Sequence, residues 1–173
     1  FTDDVTDYFD KADGYEALSA FIHGYVQPEP IPGARVLYVE DSITVAVATK
    51  RMLKSQGLEV IHMTRGDDAL FYLRERLGDD DMGADLVLTD VTLEGNIGGL
   101  DPGRAIRRGL GDTRPPPPGL GVTGDSNRDK QSGLLREGAN DLVLKPIEQR
   151  LLVTKALFQL RLSRLPDRDA NPA

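Results

Sequence analysis

Five polar side chains close four short apolar runs: Glu40 and Asp41 after VLYV, Asp90 after DLVLT, Thr123 after GLGV and Lys145 after DLVL. Three carboxylates, a hydroxyl and an ammonium suit a divalent metal beside a phosphorylated carboxylate. Glu40 and Asp41 cannot pair with each other and repel unless a cation lies between them. The chain has no Cys, and no His stands near these acids in sequence, so the hard oxygen donors favour Mg2+ over zinc. Asp90 leaves its apolar run for a glycine-rich loop, EGNIGG (94–99), which exposes its carboxylate. Such an Asp can attack phosphorus and become an aspartyl phosphate. Catalysis of that step is mainly positioning and charge neutralisation. Thr123 can donate a hydrogen bond to one phosphoryl oxygen, and Lys145 can neutralise another. Pro146 holds Lys145 extended and so directs its stem.

Each of these residues also has a plainer role. Adjacent acids cap a following helix, whose N-terminus favours negative charge. A strand-end Asp caps a turn, and a lone Thr or Lys is a solvated surface residue. The metal and phosphoryl reading gains its force from convergence. In an open parallel sheet the carboxyl ends of neighbouring strands meet at one crevice, where the ligand binds.

The elements that would bring about this convergence alternate from residue 34 onward. VLYV (36–39) reads as a strand, followed by a helix over 42–55 with Ser42 as its cap and Gly57 as its stop. LEVIHM (58–63) is a second strand and 67–77 an amphipathic helix; 78–83 is a solvated acidic loop, and 84–90 a third strand. A helix near 102–108 begins at Pro102, which suits an early helix position. RPPPP (114–118) is extended or turn-like and delivers the chain to the strand GLGVT (119–123). A helix over 126–136, a strand over 140–145 and a helix over 147–165 follow, the last burying Leu151, Leu152, Ala156, Phe158 and Leu162. Five βα units of this rhythm predict a three-layer α/β fold around a parallel sheet.

The 173 residues suffice for one domain with a sizeable core. A net charge of -7 argues against nucleic acid and anionic membrane as direct partners. No apolar run approaches the roughly 18 residues of a membrane span, and no signal peptide is evident. The lack of Cys fits a cytoplasmic setting. The chain begins at Phe1 without Met, which suggests a piece of something longer. VTDYFDKADGYEALSAFIHGYV (5–26) echoes ANDLVLKPIEQRLLVTKALFQL (139–160): Asp, apolar strand, Lys, amphipathic helix. Residues 1–26 therefore read as the last βα unit of a preceding similar domain, the alternative being an extension helix packed on the main one. QPEPIPG (27–33) reads as a stiff linker, 34–165 as the main domain, and 166–173 as a linker or disordered tail.

VLYVEDS, DLVLTD, VTG and GANDLVLKP together resemble the two-component response-regulator receiver domain, over residues 34 to about 165. The 33 residues from Asp90 to Thr123 and the 22 from Thr123 to Lys145 match that family's spacing. The resemblance implies a flavodoxin-like (βα)5 fold with strand order 2-1-3-4-5 and helices on both faces. It implies that Asp90 accepts a phosphoryl group from a sensor histidine kinase or histidine phosphotransfer protein. Asp41, Asp90 and the Thr92 backbone carbonyl would bind Mg2+, Glu40 would act through water, and Thr123 and Lys145 would meet the phosphoryl group. The module would be a switch for an output domain in the same or another chain, with a homodimer possible, and would be no enzyme beyond slow self-catalysed phosphorylation and dephosphorylation.

Two departures from the family stand out. Leu142 occupies the position, three before the Lys, where an aromatic rotamer switch usually sits; the Tyr8–Lys11 pair of the N-terminal echo keeps the aromatic. RPPPPGLG replaces the usual aliphatic entry to the fourth strand and predicts a Thr123 edge that is rigid or displaced. Two other functions compete: a pseudo-receiver serving as a constitutive interaction surface, and an aspartate-nucleophile phosphatase of the haloacid-dehalogenase type. The second needs an Asp two residues after the nucleophile, where this chain has Thr92. His23 and His62 lack metal-ligand spacing, DDDMGAD (79–85) lacks the later Glu of a calcium loop, and EGNIGG is misplaced for dinucleotide binding.

Overall fold

The computed structural model describes residues 29–78, 81–90, 117–124, 128–137 and 139–163. The N-terminal echo (1–26), the 94–99 loop, the helix near 102–108, most of the proline run and the 166–173 tail lie outside the described residues. Five strands and four helices are described: β1 Arg35–Val39, α1 Ile43–Lys54, β2 Glu59–Met63, α2 Gly66–Gly78, β3 Leu86–Asp90, β4 Gly119–Thr123, α3 Arg128–Glu137, β5 Asp141–Leu144 and α4 Gln149–Ser163. The strands form one parallel sheet in the order β2-β1-β3-β4-β5. This is the flavodoxin-like order that the motifs imply.

The side-chain period of two divides the strands between two layers. Val36 and Tyr38 of β1 and Leu86 and Leu88 of β3 pack with Ala46 and Leu53 of α1 and Leu152, Ala156 and Leu160 of α4. Leu37, Val39 and Val87 face the other way, onto Ala69 and Leu73 of α2. Helices therefore cover both faces, and a sheet sealed on both sides reads as near-continuous apolar strands. Among the described residues no helix is long and apolar enough to cross a membrane.

Local chemistry sets the element ends. Ser42 caps α1, its side chain accepting from the Val45 N–H at 3.4 Å. Gly57 takes φ +76° in the turn after α1, a region that other residues rarely enter. At the start of β4, Pro118 enters in register: its carbonyl accepts from the Val87 N–H at 2.9 Å. Asn140 brackets Gly119, accepting from its N–H at 2.8 Å and donating to its carbonyl at 2.9 Å. The proline run therefore does not displace the Thr123 edge, since Thr123 pairs with Leu144 in an unbroken β4–β5 register.

Two other expectations are revised. In α4, Leu152 and Ala156 are buried as expected, but Phe158 is 53% exposed and Leu162 46%. Val153, Leu157 and Leu160 complete the buried stripe instead. Residues 152, 153, 156, 157 and 160 share one face, whereas Phe158 lies about 200° around the axis from Ala156.

The acidic loop is not simply solvated. Asp81 accepts a two-pronged hydrogen bond from the Arg35 guanidinium at 3.0 and 2.9 Å, and Asp85 accepts from the Arg35 backbone N–H at 2.7 Å. The Arg35 hydrogen bond, followed by that of the Gly83 N–H, lowers the Asp81 carboxyl to about 2. The described end of the linker, Glu29–Gly33, lies on the domain: Ile31 packs against the core and the Gly33 N–H donates to the Gly57 carbonyl at 2.9 Å.

Candidate functional site

The carboxyl ends of β1, β3, β4 and β5 bring Glu40, Asp90, Thr123 and Lys145 to one edge of the sheet. Val39 of β1 stands beside Thr89 of β3, Asp90 beside Val122 of β4, and Thr123 beside Leu144 of β5, so consecutive strands present their terminal residues in a row. Glu40, Asp90 and Thr123 are almost fully enclosed, at 1%, 4% and 2% exposure, which corrects the expectation of an exposed Asp90 carboxylate, whereas Asp41 is open to solvent. One oxygen each from Glu40, Asp41 and Asp90 can be chosen so that all lie within 4.8 Å of one another. Thr92 lies outside the described residues.

Lys145 reaches into this acidic cluster. Its Nζ donates to Asp90 Oδ2 at 2.6 Å and lies 3.9 Å from Glu40 Oε2. Its backbone N–H donates to the Thr123 carbonyl at 2.8 Å, which fixes the root of the side chain on β4, and the Lys145–Pro146 peptide is cis. Burial pulls the ammonium down, but the Asp90 hydrogen bond and the charges of Asp90, Glu40 and Asp41 outweigh it and leave the Lys145 pKa raised.

Glu40 is the least satisfied member of the cluster. Oε1 accepts from the Ser42 N–H at 3.3 Å, but Oε2 is buried without a hydrogen-bond partner. Burial first, then the adjacent Asp90 carboxylate, push its carboxyl up to about 7, against the opposing pull of Lys145 and the Ser42 N–H. Two enclosed carboxylates, with the exposed Asp41 beside them, around one ammonium leave excess negative charge, which a proton or a second cation relieves. The donor set fits a hard divalent ion: all the side-chain ligands are oxygens, one buried oxygen lacks a partner, and the described cluster contains no sulfur or imidazole ligand.

One residue that the sequence pattern passed over stands at this edge. His62, in register with Tyr38 on the neighbouring strand, has Nε2 2.8 Å from the Glu40 backbone carbonyl. Nothing in the local pattern could signal this, because the pairing of β1 with β2 is set across an intervening helix. Leu142 is buried on β5, beside Gly121 of β4, so the position of the missing aromatic is filled by core aliphatic packing.

The family profile of the response regulator receiver domain matches residues 36–157. The chain belongs to that family. Among curated relatives it is 30% identical over 121 residues to the CAI-1 autoinducer sensor kinase/phosphatase CqsS of Vibrio cholerae, covering 70% of this chain and 16% of that protein. It is 35% identical over 127 residues to the sensory transduction protein RegX3 of Mycobacterium tuberculosis, covering 73% of this chain and 50% of RegX3. Among solved structures, the signal receiver domain of a Luxo repressor-type protein from Vibrio parahaemolyticus superposes with a TM-score of 0.66 at 27% identity, over 80% of this chain and 98% of that one. The chain thus spans half of RegX3 and a small part of CqsS, while matching an isolated receiver domain almost end to end. In the receiver frame, the acid pair after β1, the Asp ending β3, the Thr ending β4 and the Lys after β5 all fall within the matched span.

Proposed function

We propose that this receiver domain is a phosphorylation-operated switch with Asp90 as its phosphoacceptor. The observation that carries this reading is the buried Asp90 carboxylate, 2.6 Å from the Lys145 ammonium and clustered with Glu40 and Asp41. In the transfer, an Asp90 oxygen bonds to phosphorus as the P–N bond of a phosphohistidine donor breaks. The electron pair of that bond stays with the donor imidazole, which takes up a proton.

Asp41 and Asp90 would hold Mg2+ with the Thr92 carbonyl, and Glu40 would act through a bound water. When bound, the ion neutralises phosphoryl oxygens that would otherwise face three carboxylates. The protein's own groups do the rest. Lys145 moves its charge from the unphosphorylated carboxylate to a phosphoryl oxygen, and the Thr123 hydroxyl donates to another. The donor is a sensor histidine kinase or a histidine phosphotransfer protein, and the recipient of the signal is an output domain in this or another polypeptide. Added charge at Asp90 redistributes the Lys145 and Thr123 contacts, the local event that such a switch converts into a change of surface. With Leu142 packed in the core, that change does not pass through an aromatic rotamer at this position.

Incubation with acetyl phosphate and Mg2+, followed by intact-mass measurement, tests the assignment. One phosphoryl adduct is expected in the parent and none in Asp90→Asn or in EDTA. Because acetyl phosphate is a poor donor, beryllofluoride binding monitored by NMR is the companion measurement. Silence in both would sink the phosphoacceptor reading and leave a constitutive interaction module.

A further inference from the structure

β1 ends at Val39, and the chain must turn from a strand into α1 within three residues while presenting two carboxylates to one pocket. The geometry at Glu40 explains how this turn is held. The Glu40 N–H donates to the Met63 carbonyl at 3.0 Å, which continues the β1–β2 pairing by one residue. The Glu40 carbonyl, on the other side of the same residue, meets the His62 ring at 2.8 Å from Nε2. A carbonyl oxygen can only accept, so Nε2 carries the hydrogen. The ring is half-buried and rests against Tyr38, with centroids 5.6 Å apart and planes tilted by 34°. Tyr38 is fully enclosed in the core and cannot move aside without opening it.

This bond has a consequence for the acids. The Glu40 carbonyl and the Asp41 N–H belong to one planar unit, so a hydrogen bond to that carbonyl fixes the rotation of the peptide joining the two carboxylate-bearing residues. Rotating the plane would swing Asp41, which stands exposed, relative to Glu40, whose carboxylate is enclosed and tied to the Ser42 N–H.

We propose that His62 is a positioning residue for the divalent-cation site: its Nε2–H clamps the Glu40–Asp41 peptide and sets the angle at which both carboxylates face Asp90. The inference rests on the cation reading of that site. Outer-shell partners of metal ligands typically contribute about 10- to 100-fold in affinity. A clamp acting through the ligands' backbone belongs near the lower end.

The test uses the full chain and Mg2+ alone, titrated by calorimetry or NMR. His62→Phe keeps a flat ring against Tyr38 but removes the donor, whereas His62→Gln retains an N–H donor at similar reach. The expected result is about tenfold weaker Mg2+ binding in His62→Phe and a value within about threefold of the parent in His62→Gln. A His62→Phe affinity equal to the parent's would overturn the clamp, as would an equal loss in both variants. Should His62→Phe fail to fold, the imidazole nitrogen spectrum of the parent decides. A hydrogen on Nε2, slow to exchange, is expected, and an Nδ1–H tautomer would overturn the bond. A parent that binds no Mg2+ overturns the cation reading itself, a result distinct from a parent that binds and a variant that matches it.

Discussion

Glu40 combines near-complete burial, an oxygen without a hydrogen-bond partner and a second carboxylate alongside, and its carboxyl is pushed up to about 7 from an ordinary 4.5. The unfolded chain gives up this proton near 4.5 and the folded chain only near 7, so between those values the folded state binds more protons. The stability that comes from the retained proton is fully present below about 4.5 and is lost as pH rises through about 7. In metal-free buffer, the parent should therefore lose about 2 kcal/mol more stability than Glu40→Gln between pH 5 and pH 8, a figure reduced for coupling to Asp90 and Lys145. Urea melts of both chains at the two pH values measure this, and parallel slopes would refute it. Cation binding competes with the same proton, so Mg2+ should recover the parent's loss at pH 8 and do much less at pH 5. The acids, the Thr and the Lys were legible in the sequence because each closes an apolar run. The raised carboxyl was not, since it follows from burial and from Asp90, which stands 50 residues away.

At the scale of elements, the strands were easier to read than the faces of the helices. GLGVT has sharp bounds because a proline run precedes it and Gly124 follows, and its strand matches residue for residue. α4 carries apolar residues at 151, 152, 153, 156, 157, 158, 160 and 162, nearly all round its axis. Periodicity then selects no single face, and the choice falls to how the helix seats on β3 and β5. Phe158, the largest of these side chains, was the natural anchor by size and is left outside, as is Leu162. Leu157→Ala should cost about 2–4 kcal/mol, whereas Phe158→Ser should stay within about 0.5 kcal/mol. Chemical denaturation separates the two directly, and equal losses would place Phe158 in the core after all. The Arg35–Asp81 clasp was illegible for a related reason: its partners lie 46 residues apart, and only the pairing of β1 with β3 brings the two segments together.

Across the whole molecule, the two ends of the sheet carry different loads. The carboxyl end gathers buried like charges that destabilise the metal-free fold, as active edges commonly do. The amino end is held by ordinary contacts: the Arg35 fork on Asp81, Ile31 against the core, and Arg161 of α4 paired with Glu29 at 3.8 Å. The chain entering β1 and the end of α4 thus meet on the side of the sheet away from Asp90, because a helix returning antiparallel to its strand finishes where the strand began. Contacts at one end should then act on stability without altering the chemistry at the other. Ile31→Ala should lower the unfolding free energy by about 1 kcal/mol, in keeping with its partial burial. It should leave Mg2+ affinity and the yield of phosphoryl adduct at parental values. Combined with Glu40→Gln, its effect should add to within about 0.5 kcal/mol, as for sites without shared partners. A change in Mg2+ affinity in Ile31→Ala would instead reveal that the docked 29–33 segment is coupled through β1 to the acid pair, making the chain upstream of β1 part of the switch.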